Sequence, residues 1–206
     1  MPTLACRPGD VARAGHRMAA DGRIAECGSA IRRAALNLGS MDLPRVSRPF
    51  MPGYGIQGPD EGSGLLPWSW ADERLSSARN YWVVTVRPDG RPHSMPVWGM
   101  WDGGEFWFTS GIQSRKIKNL KADPRCVVST EDAADPVIVE GTAAIITDPE
   151  LIGRVLDLMN GKYETSIEAS FLDPAVNATV AVRPRQVISM RHADFTGSPT
   201  RWTFDA

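Results

Sequence analysis

Cysteine is scarce in this chain: Cys6, Cys27 and Cys126 are odd in number, far apart and without a CxxC pair. That argues against a disulfide framework and against a zinc site, and makes a reducing cytoplasm the simplest compartment. Histidine is as rare, with three residues. No His or Cys cluster has metal-ligand spacing, and no nucleophile-elbow sequence is present, so metalloenzyme and serine-hydrolase readings are weak. No apolar run approaches the roughly 18 residues that cross a bilayer. Charge of one sign is also lacking, since the formal net charge is −1. A general nucleic-acid or membrane-surface binder is therefore not indicated.

What remains is ordinary globular usage, with 42% apolar and 23% charged residues in 206, enough for one domain with a sizeable core. The first forty residues differ. They contain no aromatic residue and carry six Arg against three acids. Without an apolar core segment of signal-peptide length followed by a small-residue cleavage site, they do not read as a targeting peptide. They read as a disordered extension, or as upstream sequence translated in error with Met41 as the true start. Residues 41–67 hold Pro44, Pro49, Pro52, Pro59 and Pro67 with five glycines. This density of breakers predicts an extended arm without regular elements, partly packed on the body through Phe50, Met51, Tyr54, Leu65 and Leu66. Residues 68–206 form the main domain.

Its first element is a short helix, "SWADERLSSARN", with Ser69 as N-cap. Strand patterns follow at 81–86 and 91–101, joined by the turn "RPDG", and at 105–110 after the hairpin signal "DGG". Pro92 and Pro96 require an edge or a bulge in the second of these strands. Further strands are expected at 126–130 and 136–147, the latter bent or bulged at Gly141. A helix at 148–163 is capped by Asp148 with Pro149 behind it, and Leu151, Val155, Leu158 and Met159 form its apolar stripe. Two last strands are expected at 178–184 and 185–191. Six or seven short strands in hairpin-like succession, with two or three helices inserted, predict a mainly β (α+β) fold, an antiparallel barrel rather than a doubly wound sheet.

The basic segment "TSGIQSRKIKNLKAD" (109–123) stands out in a nearly neutral chain. A helix starting at Ser114 would turn Ile117 and Leu120 inward and expose Arg115, Lys118 and Asn119, with Lys116 flanking. Arg115 and Lys116 would then sit at the positive end of the helix dipole, an arrangement that a bound anion relieves. The competing reading is a solvated basic face, which a charge cluster alone favours.

The order "RPDGRPHSMPVWGMW", short hairpin, "FTS", "SRKIKNLKADPR" resembles the split β-barrel flavin and deazaflavin oxidoreductases typified by pyridoxamine 5′-phosphate oxidase, over roughly residues 68–204. It looks nearest the branch that uses the deazaflavin coenzyme F420. The resemblance implies a split barrel of about six strands of the FMN-binding type. It implies a homodimer with two cofactor sites in the subunit interface, and hydride transfer to a small unsaturated or quinone-like substrate. It assigns Ser114, Arg115, Lys116 and Asn119 to the segment holding the cofactor phosphate. Pro96, Val97 and Trp98 match the strand beside the flavin ring, and Thr109 and Ser110 the strand end facing the ribityl or phosphate part. The pyridoxamine phosphate-binding residues of the oxidase have no recognisable counterpart, so vitamin B6 oxidation is not carried over.

The alternatives are an FMN-dependent oxidase or reductase, and a non-enzymatic carrier of a flavin, deazaflavin, haem or lipid. A nucleic-acid contact at Arg115–Lys121 is disfavoured by the net −4 of the chain beyond residue 40. No catalytic acid or base is identified. His93 is read as an exposed strand residue, with a hydrogen bond near the ring as the other reading. His192 is read as structural. Trp82, Trp101 and Trp107 are read as core, and Cys126 as a buried small hydrophobe.

Overall fold

The computed structural model describes residues 44–205; the readings of residues 1–40 lie outside them. Among the described residues there are eight strands, paired antiparallel, and three α-helices. These are β1 (Arg45–Ser47), α1 (Trp68–Ser77), β2 (Asn80–Val86), β3 (Pro92–Asp102), β4 (Glu105–Gly111), α2 (Arg115–Ala122), β5 (Arg125–Thr130), β6 (Val137–Ile146), α3 (Pro149–Tyr163), β7 (Asn177–Ser189) and β8 (Thr200–Thr203). The strand order β7-β4-β3-β2-β5-β6 closes on itself because β6 also pairs with β7, giving a six-stranded barrel. β8 and β1 extend the sheet outside it. This is the split antiparallel barrel the sequence led us to expect.

Turn chemistry sets the hairpins. Gly90 closes the "RPDG" turn at φ 81°, with its N–H donated to Arg87 O at 2.8 Å. Gly103 and Gly104, at φ 61° and 79°, make the two-residue β3–β4 connection between Asp102 and Glu105, a position that suits glycine. The barrel interior is filled by alternate residues, among them Tyr81, Val83, Phe106, Phe108, Val128, Val139, Val180 and Val182, all fully buried. A second apolar cluster, Met100, Val155, Met159, Tyr163 and Leu172, lies where α3 covers the outer face of β3 and β4. The Asp148 carboxylate caps α3 by accepting from the amides of Glu150 and Leu151.

Several local expectations are corrected. The stretch expected to hold no regular element contains β1, which pairs with β8. Arg48 steadies it by donating to the carbonyls of Gly58, Glu61, Gly197 and Pro199. The strands expected at 178–184 and 185–191 are one strand, β7, because its ladder to β6 runs on through a bulge: Glu140 faces Gln186 and Gly141 faces Pro184, leaving Arg185 unopposed. The bulge falls at Gly141, as its glycine suggested; a Cβ there would lie 2.5 Å from Arg183 O. β8 escaped notice because it is four residues long. Ser69 is not the N-cap of α1. The N-cap is Pro67, two residues earlier and with no side-chain cap, because Trp68 is anchored against Trp202 and Phe204. Trp82 is not core either, being 45% exposed.

Candidate functional site

β3 changes partner along its length. From Pro92 to Trp98 it pairs with β2, and from Gly99 to Asp102 with β4. Continuing the β3–β4 register would set Trp98 opposite Thr109 and Val97 opposite Ser110, but pairing stops at Gly99–Phe108. The barrel is therefore split between Pro96–Trp98 and Thr109–Ser110, and α2 follows directly from the end of β4. Pro96 contributes to this opening because it has no N–H to donate. At the junction, Tyr163 takes over a ladder position: its hydroxyl donates to Arg79 O at 2.6 Å and accepts from Gly99 N at 2.7 Å. Gly99 thus points toward β2, and by the alternation of an antiparallel strand the N–H of Trp98 points toward the split.

α2 begins as its sequence requires. Ser114 is the N-cap, accepting from Ile117 N at 3.4 Å, while Ile117 and Leu120 are buried. Ser110 Oγ and Ser114 Oγ lie 3.1 Å apart, and Lys116 Nζ donates to Ser110 Oγ at 3.1 Å. One strand end and one helix start thus bring two hydroxyls and an ammonium to a single spot. Burial lowers the pKa of Lys116, with no acid offsetting it. Among the described residues no carboxylate pairs with Arg87, Arg115 or Lys116. The first-turn amides of α2 face the same end, where a helix leaves them unsatisfied and positive.

The surroundings add charge. His93 sits opposite Thr85 on β2; burial and the positive charges of Arg87, Lys116 and Arg115 lower its pKa. Its Nδ1 and the Nε of Arg87 are buried without partners. Uncompensated cations, convergent hydroxyls and unpaired buried nitrogens are what an anionic group would complete.

A family model described as pyridoxamine 5′-phosphate oxidase matches residues 71–194. The chain belongs to that family. Among solved structures, an F420 reductase is 28% identical, covering 56% of this chain and 94% of its own, at a TM-score of 0.49. The conserved hypothetical protein Rv2991 from Mycobacterium tuberculosis is 26% identical, covering 62% of this chain and 86% of its own, at a TM-score of 0.55. No curated protein matches.

In this pyridoxamine 5′-phosphate oxidase family member the expected residues fall into two groups around the split. Ser110, Ser114, Arg115 and Lys116 gather at the α2 entrance. Pro96, Val97 and Trp98 line the β3 side, with Val97 buried and Trp98 46% exposed; Thr109 lies across from Trp98. Trp98 stacks on Tyr163, with ring centroids 4.3 Å apart and an interplanar angle of 7°, so one face of the indole is fixed by the protein. Asn119 is corrected from the exposed face of α2 to full burial. It donates to Thr85 Oγ1 at 2.9 Å, and its Oδ1 has no partner. α2 is enclosed on the β2 flank as well as beneath, which the one-sided helical pattern does not convey. His93 is half-buried rather than exposed. Sequence reasoning missed Arg87, whose only signal was its place at the turn, and Tyr163, whose contact with β3 spans more than sixty positions.

Proposed function

We propose that this family member is an oxidoreductase using the deazaflavin coenzyme F420. The anionic tail of the coenzyme would lie at the α2 entrance, with its ring in the split beside Val97 and Trp98. The observation carrying this reading is the uncompensated cluster of Arg87, Arg115 and Lys116 around the Ser110–Ser114 pair at a helix N-terminus. The family binds flavins, and the run "SRKIKNL" with "DPR" after it favours the deazaflavin branch; FMN is the second reading, since its phosphate suits the same cluster. Such a coenzyme, when bound, supplies hydride transfer to an electron-poor double bond or a quinone-like acceptor.

The contributions of the chain are then specific. Arg115 and Lys116 hold the phosphate by charge-assisted bonds, and the two serine hydroxyls fix its orientation. Val97 walls the ring and excludes water. Of Pro96, Val97 and Trp98, Pro96 has no N–H and the amide of Val97 is turned to β2, so the N–H of Trp98 is the one available to polarise a ring in the split. We expect the working form to be a homodimer with its two cofactor sites in the interface. Sedimentation of the full chain at micromolar concentration tests this, and a monomer would refute it.

The deciding measurement is fluorescence and absorbance titration of the full chain with F420 and FMN separately. Turnover of the preferred one, in reduced form, with quinones and unsaturated ketones follows. Tight F420 binding with hydride transfer supports the proposal. FMN preference moves the assignment to the second reading, and binding without turnover to either acceptor class makes the protein a carrier.

A further inference from the structure

On the outer face of the barrel, α1, β3 and α3 line an open cleft of about 480 Å³. Met100, Trp101 and Leu158 give it largely apolar walls. On its rim Arg154 is paired with Asp102 at 2.5 Å, the indole N–H of Trp101 donates to Asp72, and Asp157 presents an exposed carboxylate. Lys162 also lines the cleft, and neither reading of the coenzyme gives it a task.

The surroundings of Lys162 are unusual for a lysine. Its Nζ donates to the Tyr81 hydroxyl oxygen at 2.8 Å and to Gly99 O at 2.9 Å, and it lies 4.7 Å from the centre of the Tyr81 ring. The Tyr81 hydroxyl donates its own proton to Leu75 O. Burial pushes the Lys162 ammonium down to about 8, with Glu131 opposing the shift. The neutral amine is therefore well populated in mildly alkaline solution. That amine has two N–H groups, and both have protein acceptors. Its lone pair is left without a protein partner, on a residue that lines this open cleft.

The geometry points to Lys162 as a nucleophilic amine that captures an apolar aldehyde in the α1–β3–α3 cleft. The lone pair attacks the carbonyl carbon and a C–N bond forms. The carbonyl oxygen departs as water, taking one proton from the amine and one from solvent. The product is an iminium that keeps one N–H for Gly99 O. No oxidant or reductant is consumed. The apolar walls select the body of the aldehyde, and with Arg154 already paired and the Asp157 carboxylate on the rim, an anionic one is disfavoured. This site does not depend on the identity of the coenzyme.

The test uses cinnamaldehyde on the full chain at pH 8, with cyanoborohydride to fix the imine and peptide mass mapping to locate it. The chain has four lysines, Lys116, Lys118, Lys121 and Lys162, which makes the comparison internal. Lys162 should label at least tenfold faster than the exposed Lys118 and Lys121, and glyoxylate, a small anionic aldehyde, should show no such preference. Gly161→Leu should abolish the preference while leaving the amine in place. Gly161 lines the cleft and a Cβ there meets nothing within 4 Å, so a leucine at this position adds bulk at the cleft without disturbing the packing. Labelling that follows exposure, with Lys118 and Lys121 first, would overturn the proposal and leave Lys162 a structural tie. Unchanged selectivity in Gly161→Leu, or an equal preference with glyoxylate, would overturn it too.

Discussion

Lys116 is held half-buried against a serine hydroxyl rather than a carboxylate, and Arg115 stands beside it at the positive end of a helix. Charges so placed are tolerated at a cost that an incoming anion removes. Replacing both residues with Ala should weaken coenzyme binding tenfold or more. Each charge-assisted contact contributes roughly 1.5–3 kcal/mol, and about 1.4 kcal/mol is a factor of ten. Fluorescence titration reads this directly, and the melting temperature of the free protein should stay level or rise. Unaltered affinity would place the anion elsewhere.

At the scale of elements, the split exists because β3 trades β2 for β4 at Gly99, and Tyr163 from α3 bridges the exchange. A Cβ on Gly99 would fall 2.2 Å from Phe106 Cζ, so the crossing point admits glycine alone. Tyr163→Phe removes the hydroxyl while keeping the ring that stacks on Trp98. It leaves Gly99 N unsatisfied, and should destabilise by about 1–3 kcal/mol. Chemical denaturation measures the loss, and tryptophan emission should hold near wild type.

This junction also marks how far the sequence could be read. Ser114 before a basic run, Asp148 before Pro149, and the paired glycines after Asp102 carry local chemistry, and the structure follows them. Pro92 and Pro96 called for an edge or a bulge, and the stretch they occupy runs unbroken as an edge, paired with β2 alone. The pairing of Tyr163 with Gly99, the burial of Asn119 against Thr85 and the approach of Arg87 to His93 depend on tertiary contact, so no nearby residues announced them. β1 and β8 are too short to show a period of two, and exist because β7 offers an edge.

For the molecule as a whole, Lys162 predicts a pH dependence whose sign is fixed. Its folded value of about 8 lies below the unfolded 10.5, so between those values the unfolded chain binds more protons. The contribution of this residue to stability therefore rises with pH across that window, and its cost is fully present below 8. Comparing urea midpoints of wild type and Lys162→Met from pH 7 to 10 isolates it: the wild-type curve should gain on the variant as pH increases. A parallel pair of curves would contradict the assignment.

β7 belongs to two structures at once. Its first half seals the barrel through β4, and its second half carries β8 and, through it, the arm pinned by Arg48. A chain ended at Met190 would keep every barrel strand yet lay bare a row of amides and carbonyls from Gln186 to Ser189. Such an open margin recruits strands from other molecules. The shortened protein should therefore fail by clumping before it fails by unfolding, with light scattering rising while circular dichroism still reports a β fold.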